Sequence, residues 1–353
     1  MKGLILSGGR GTRLRPITFT SAKQLVPVAN KPILFYGIEA LAASGITEIG
    51  IVVGDTHQEI REAVGDGSRF GVSVTYIEQE APLGLAHALL VSESFLGADS
   101  FCMYLGDNLI RDKLSPLVER FREEKPNSQI LLAAVPNPSQ FGVAELRQGQ
   151  VVRLVEKPER PPSNLALVGV YMFDPTIFKA VKAIRPSARG ELEITDAIQW
   201  LIDQGHLVRP HVIDGWWKDT GRLEDMLEAN RIILDTLVPR NDGHVHDSEV
   251  VGKVVVEQGA RIVQSTVRGP AIIGKGAVIE NSFIGPFTSI GDGVILSGSE
   301  VEHSILLEGA RVSDVGGRIE SSLIGRNVSI YRTSSKPRSF NFMLGDRSEV
   351  GLI

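Results

Sequence analysis

Cysteine is almost missing from this chain: Cys102 is the single thiol in 353 residues. An intramolecular disulfide is therefore excluded, and so is a cysteine-built zinc cluster. Cys102 lies inside the apolar run Phe101-Cys102-Met103-Tyr104-Leu105 and reads as a small buried hydrophobe. Long hydrophobic runs are missing too. No stretch approaches the roughly 18 apolar residues of a membrane-spanning helix. Gly8-Gly9 cuts the N-terminal apolar run after a few residues, unlike a secretory signal. The expectation is a cytoplasmic protein with no membrane partner. An excess of positive charge is also absent: the net charge is −5, which argues against a general nucleic-acid surface. His57, His87, His206 and His211 are scattered without ligand spacing, and no Ser/His/Asp or Cys/His nucleophile set stands out.

What is present is a soluble composition, 42% hydrophobic and 22% charged, long enough for two domains. Up to about residue 235, short apolar runs alternate with segments of helical periodicity. Leu4–Leu6, Ile49–Val53, Val74–Ile77, Phe101–Leu105, Ile130–Val135 and Val168–Phe173 read as strands. Pro32–Ala43, Ile60–Val64, Ala86–Ser94, Pro116–Glu124 and Ile194–Gln204 read as helices. This alternation predicts an α/β, Rossmann-like fold with a mainly parallel sheet, whose ligands sit beyond the carboxyl ends of the strands.

After Pro239 the pattern changes. Ile273-Gly274, Ile284-Gly285, Ile290-Gly291 and Ile324-Gly325 mark a rhythm of about six residues, with Val267, Ile279, Leu296 and Val301 between them. One inward aliphatic residue per hexad is the mark of a parallel β-helix. The expected division is a first domain over 1–238, a linker over 239–249 and a β-helix with a tail over 250–353.

Several strings carry chemistry. Leu4-Ile5-Leu6 runs into Gly8-Gly9-Arg10-Gly11-Thr12-Arg13-Leu14-Arg15-Pro16. Glycines let backbone N–H groups close on an anion, and Arg13 and Lys23 add positive charge where phosphates would lie. The string is neither a dinucleotide fingerprint, which needs a third glycine, nor a Walker A loop. Tyr104-Leu105-Gly106-Asp107-Asn108 puts a carboxylate at the sheet edge, a suitable hard-oxygen ligand for Mg²⁺, and Trp217-Lys218-Asp219-Thr220-Gly221 offers a second. Val155-Glu156-Lys157-Pro158 pairs an acceptor for hydroxyls with a cation for phosphate. In Arg189-Gly190-Glu191-Leu192-Glu193-Ile194-Thr195-Asp196 the acids suit the first turn of a helix. Gly142 and Gly169 interrupt strand edges, where backbone can approach a ligand closely.

Together with SAKQLVPVANKPILFY, EQEAPLGLAHAL and FGVAEL, these strings resemble the sugar-1-phosphate nucleotidyltransferases, in particular the long-form glucose-1-phosphate thymidylyltransferases with a C-terminal left-handed β-helix. The resemblance covers nearly the whole chain. It implies that Gly8, Gly9, Gly11, Thr12, Arg13 and Lys23 hold a triphosphate, that Gln79 and Gly84 face the thymine, and that Gln24 lies nearby. It implies Mg²⁺ on Asp107 and Asp219. Asn108, Gly142, Glu156 and Gly169 would serve the hexose, with Lys157 and Arg189 on its phosphate. The implied substrates are dTTP and glucose 1-phosphate, and the implied assembly is a homo-oligomer. The same chemistry with another base, or with another sugar- or cyclitol-1-phosphate, stays open, since base choice rests on few contacts. Every catalytic candidate lies before residue 222, so the sequence predicts that the first domain carries the chemistry alone and that the β-helix serves assembly.

Overall fold

A computed structural model describes residues 1–9 and 11–333. The chain divides into two compact units. Among the described residues, the first comprises 1–9, Ser21–Leu25 and Ile33–Asp219; the second comprises Gly11–Thr20, Val26–Pro32 and 220–333. The boundary therefore differs from the one expected near residue 238, because two short N-terminal segments belong with the C-terminal half.

In the first unit the strand Lys2–Ser7 is central, running parallel to Glu48–Val53 on one side and to Phe101–Leu105 on the other, with Ser73–Glu78 beyond Glu48–Val53. Its residues alternate between two cores. Leu4 and Leu6 join one apolar cluster and Ile5 the other, as the pleat of a strand buried on both faces requires. Helices α1 (Ile33–Ala43), α2 (His57–Val64) and α4 (Leu114–Glu124) cover the Ile5 face. Helices α3 (Leu85–Leu96), α5 (Ile177–Ala183) and α6 (Ile194–Asp203) cover the other.

The sheet is less uniformly parallel than periodicity alone suggests. Leu165–Phe173 lies antiparallel to Phe101–Leu105, and Gly142–Arg147 and Gln150–Glu156 form an antiparallel hairpin at the far edge. Gln148 (φ 50°) and Gly149 (φ 77°) make its two-residue turn, the left-handed pair that matches strand twist. Cys102 is buried, as expected, and burial pushes its thiol up to about 12.

The second unit holds helix α7 (Leu223–Asp235) and a three-sided parallel β-helix, consistent with the left-handed form. Arg261–Val263, Val278–Glu280, Ile295–Ser297, Arg311–Ser313 and Ser329–Tyr331 stack as successive rungs of one face. The hexad aliphatics point inward: Val267, Ile273, Ile279, Ile284, Ile290, Leu296 and Val301 are each 0% exposed. A hydroxyl passes from coil to coil at one corner, where the N–H groups of Ser265, Ser282 and Ser299 donate to the Oγ atoms of Ser248, Ser265 and Ser282. The stretch expected as a linker is part of this stack, since Arg240–Asn241 and His244–His246 pair with Val254–Val256 and Arg261–Val263. Periodicity is weakest in a first coil, which has no coil beneath it to bury its face. The tail over 334–353 lies outside the described residues.

Candidate active site

Two neighbouring parallel strands end side by side. Lys2–Ser7 leads into Gly8-Gly9, and Phe101–Leu105 leads into Gly106-Asp107. The Gly106 N–H donates to the Leu6 carbonyl at 2.9 Å. A Cβ on Gly106 would stand 2.7 Å from Ser7 Oγ, so only glycine lets the two ends approach this closely. Asp107 is thereby fixed at the carboxyl edge of the sheet.

There it meets Lys23, which is buried in the short helical turn Lys23–Leu25. The ammonium donates to Asp107 Oδ2 and lies 3.7 Å from Asp219 Oδ1. Burial pushes the Asp107 carboxyl up, but the Lys23 charge and the hydrogen bonds from Lys23 and Asn108 outweigh it and hold the group below the usual carboxylate range. Asp219 arrives on the strand Trp217–Asp219, antiparallel to Asn108–Ile110, with Asp219 opposite Asn108. Two aspartates more than a hundred residues apart in sequence thus share one cation.

Asn108 is buried and internally bonded. Its Nδ2 donates to Asp107 Oδ1 at 2.8 Å, the Trp217 indole N–H donates to its Oδ1, and the Tyr104 hydroxyl donates to its carbonyl at 3.1 Å. Gly169 packs against it, where a Cβ would sit 2.8 Å from its side chain. Both ends of the Asn108 amide are engaged in orienting Asp107 and Trp217.

A second group surrounds Gly8. Gln79 Oε1 lies 3.3 Å from where a Gly8 Cβ would stand, and Gln24 Nε2 lies 3.6 Å from the same point on Gly9. Gln79 Nε2 reaches the Gly84 carbonyl at 3.3 Å and His87 Nδ1 at 3.0 Å. Gly84 has φ 104°, and a Cβ there would collide with the Leu192 backbone. Among the described residues the buried Gln24 Oε1 atom has no hydrogen-bond partner, which leaves an acceptor available on this side of the site.

The third group lies on the hairpin edge, where Glu156 stands opposite Gly142. A Cβ on Gly142 would be 2.7 Å from Thr195 and 3.1 Å from Glu156 Oε2, so this glycine opens the space in front of the carboxylate. Lys157, at φ 39°, donates its N–H to the Phe141 carbonyl, and its Nζ lies 3.6 Å from Glu156 Oε1. Arg189 reaches Glu156 and Glu193 at 3.3 Å each and Glu191 at 3.0 Å. Glu156, Lys157 and Arg189 border an open cleft of about 800 Å³ that includes none of Lys23, Asp107 and Asp219. Burial raises the Glu156 carboxyl above its ordinary value and Glu193 adds to the rise, which Lys157 and Arg189 oppose without cancelling.

Gly11, Thr12 and Arg13 belong to the second unit, with Gly11 left-handed at φ 61° before the helical turn Thr12–Leu14. Two contributors were not singled out from the sequence. The signal for Trp217 is strand alternation, which puts it on the same face as Asp219, and its indole N–H reaches Asn108. Glu193, read as a helix-dipole residue, is buried and holds both Arg189 and the Ser187 hydroxyl.

The chain belongs to the nucleotidyl transferase family, whose model matches residues 2–236. Within that class it is most informatively compared with three relatives. It is 57% identical over 352 residues to a glucose-1-phosphate thymidylyltransferase of Streptomyces griseus, covering 99% of both chains. It is 46% identical over 358 residues to a low-salt glycan biosynthesis nucleotidyltransferase of Haloferax volcanii, covering 100% of both. Among solved structures it resembles a Bacillus anthracis protein, described as a candidate glucose-1-phosphate thymidylyltransferase in complex with a sucrose. That match has a TM-score of 0.64 and 38% identity, over 68% of this chain and 98% of that one. Among the described residues no helix is long and apolar enough to cross a membrane.

Proposed function

We propose that this protein transfers a thymidylyl group from dTTP to glucose 1-phosphate, forming dTDP-glucose and pyrophosphate. The observation that carries the reading is the convergence of Asp107, Asp219 and Lys23 at the carboxyl edge of the sheet, in a chain alike along its whole length to named thymidylyltransferases.

The donor set suits Mg²⁺. Asp107 and Asp219 both approach the Lys23 ammonium, which brings two hard-oxygen carboxylates together at the sheet edge. Such a pair fits an ion that keeps several waters and takes its other ligands from substrate phosphates. When bound, Mg²⁺ supplies charge neutralisation at the reacting phosphates. Asp107 and Asp219 would hold it, with Lys23 at the nucleotide phosphates.

The chain's own groups do the rest. A phosphate oxygen of glucose 1-phosphate attacks the α-phosphorus, the new P–O bond forms as the bond to the leaving oxygen breaks, and pyrophosphate departs. The nucleophile is already an anion, so no general base is needed. The task is to hold two repelling anions together and to stabilise developing charge. Gly8, Gly9, Gly11, Thr12 and Arg13 serve the triphosphate, and Gln24, Gln79 and Gly84 the base. Gly142, Glu156 and Gly169 serve the hexose, with Lys157 and Arg189 on its phosphate and Asn108 behind Asp107. The working form is a cytoplasmic homo-oligomer.

Pyrophosphate release with Mg²⁺, glucose 1-phosphate and each of dTTP, UTP, ATP, CTP and GTP tests the reading. Preference for UTP would favour the second reading, which a Haloferax volcanii relative named a UTP–glucose-1-phosphate uridylyltransferase keeps in view at 40% identity over 234 residues. Parallel-line kinetics or an isolable nucleotidyl-enzyme would sink direct displacement.

A further inference from the structure

Within the first unit, His87 touches one of the base-facing groups without being one itself. Gln79 follows the strand Ser73–Glu78, and its backbone N–H donates to the Val53 carbonyl at 2.9 Å. Its side chain turns toward Gly84, the residue that precedes α3. The Gly84 carbonyl accepts the Ala88 N–H at 3.2 Å from within the helix and Gln79 Nε2 at 3.3 Å from outside it. Leu192 holds this corner in place. Its N–H donates to the Leu83 carbonyl at 2.8 Å, and its carbonyl accepts the Ala86 N–H at 3.0 Å.

A carbonyl can only accept, so the end of the Gln79 amide that faces Gly84 is its nitrogen. The same nitrogen lies 3.0 Å from His87 Nδ1. Its two hydrogens are then both committed, one to each partner. Nδ1 has to be an acceptor, which puts the ring proton on Nε2; a proton on Nδ1 would set two donors against each other. The oxygen is left at the other end of the amide. It lies 3.3 Å from where a Gly8 Cβ would stand, so it faces the glycine-rich turn.

We propose that His87 is a positioning residue for base selection: its Nδ1 locks the Gln79 amide with the oxygen toward the ligand, so that the site takes a base presenting an imide N–H, thymine or uracil. The inference rests on the reading of Gln79 as a base-facing group. An amide turned over would offer a donor instead, which suits cytosine, whose ring N3 is an acceptor. Gly84 alone holds the amide less firmly, because 3.3 Å is just beyond the usual N–H···O range.

Two full-length variants and one spectrum test this. His87→Leu keeps a good helix former and deletes the acceptor, while His87→Asn keeps an acceptor oxygen near the place of Nδ1. His87→Leu should raise the KM for dTTP roughly tenfold, with kcat and the KM for glucose 1-phosphate changed by less than about twofold. The ratio of kcat/KM for dTTP to that for dCTP should fall by a similar factor. His87→Asn should restore most of both. Nitrogen-15 spectra at alkaline pH, with the His87 signals assigned by their loss in either variant, should show a bare Nδ1 and a protonated Nε2. A His87→Leu protein with the wild-type dTTP-to-dCTP ratio would overturn the proposal. So would a His87→Asn protein no better than His87→Leu, or a proton found on Nδ1. A wild-type protein that released no pyrophosphate with any nucleotide would sink the functional reading instead, while the spectrum would still decide whether His87 can hold the Gln79 amide this way.

Discussion

Trp217 donates its indole N–H to the side-chain oxygen of Asn108, and the same amide's N–H holds Oδ1 of Asp107. An aromatic ring two residues from one aspartate thereby sets the orientation of the other. The ring also meets Phe141 edge-on at 5.1 Å, next to Gly142. Trp217→Phe keeps most of the packing and deletes the bond. Outer partners of this kind cost about 10–100-fold when removed. The variant should lose kcat in that range and need more Mg²⁺ to reach half its maximal rate. A rate titrated against Mg²⁺ that matched wild type would separate Trp217 from the site.

Asp107→Asn and Asp219→Asn should each lower turnover by roughly a thousandfold, since each removes charge that balances both Lys23 and the metal. Asp107→Asn should also lower the melting temperature more, because Lys23 is buried against that carboxylate and sits farther from Asp219. Calorimetry beside the pyrophosphate assay tests both halves. Equal melting temperatures for the two variants would contradict the unequal pairing.

Lys157→Ala should weaken use of glucose 1-phosphate more than dTTP binding, and Arg13→Ala should do the reverse. Lys157 borders the cleft shared with Glu156 and Arg189, while Arg13 follows the left-handed Gly11. Steady-state KM values for each substrate, measured with the other saturating, distinguish them. The same pattern from both variants would remove the assignment to separate sites.

Glu156 gives a pH dependence whose sign follows from its raised carboxyl. With the folded-state value above the unfolded one, the contribution to stability is fully present below the unfolded value. It is lost as pH rises through the folded value. Glu156→Gln does not ionise and escapes that loss. Its melting temperature relative to wild type should therefore be higher at pH 8 than at pH 4. A difference independent of pH, or of opposite slope, would contradict it.

Much of this was legible in the sequence, for reasons that mark where legibility ends. Strands buried on both faces, such as Phe101–Leu105, are continuous apolar runs, and Gly106-Asp107 follows directly because a close strand-end approach needs a residue without Cβ. The hexads were readable because every coil buries the same position. The hairpin Gly142–Glu156 was not, since one of its faces is exposed and its turn residues, Gln148 and Gly149, are an uncommon pair. The assignment of Gly11–Thr20 and Val26–Pro32 to the second unit had no local signal at all. It depends on Asn230 and Ile17 meeting groups tens to hundreds of residues away, and pairing at that range leaves no periodicity behind.

Cys102, enclosed on the central sheet with its thiol pushed up to about 12, carries almost no thiolate near neutral pH, and the thiolate is the form that reacts. Maleimides and iodoacetamides should pass it by in the folded state, as intact mass after treatment would register. The chain is in effect already a cysteine-free background. A thiol introduced on an exposed coil would carry a fluorophore or spin label by itself, without any prior substitution in the core.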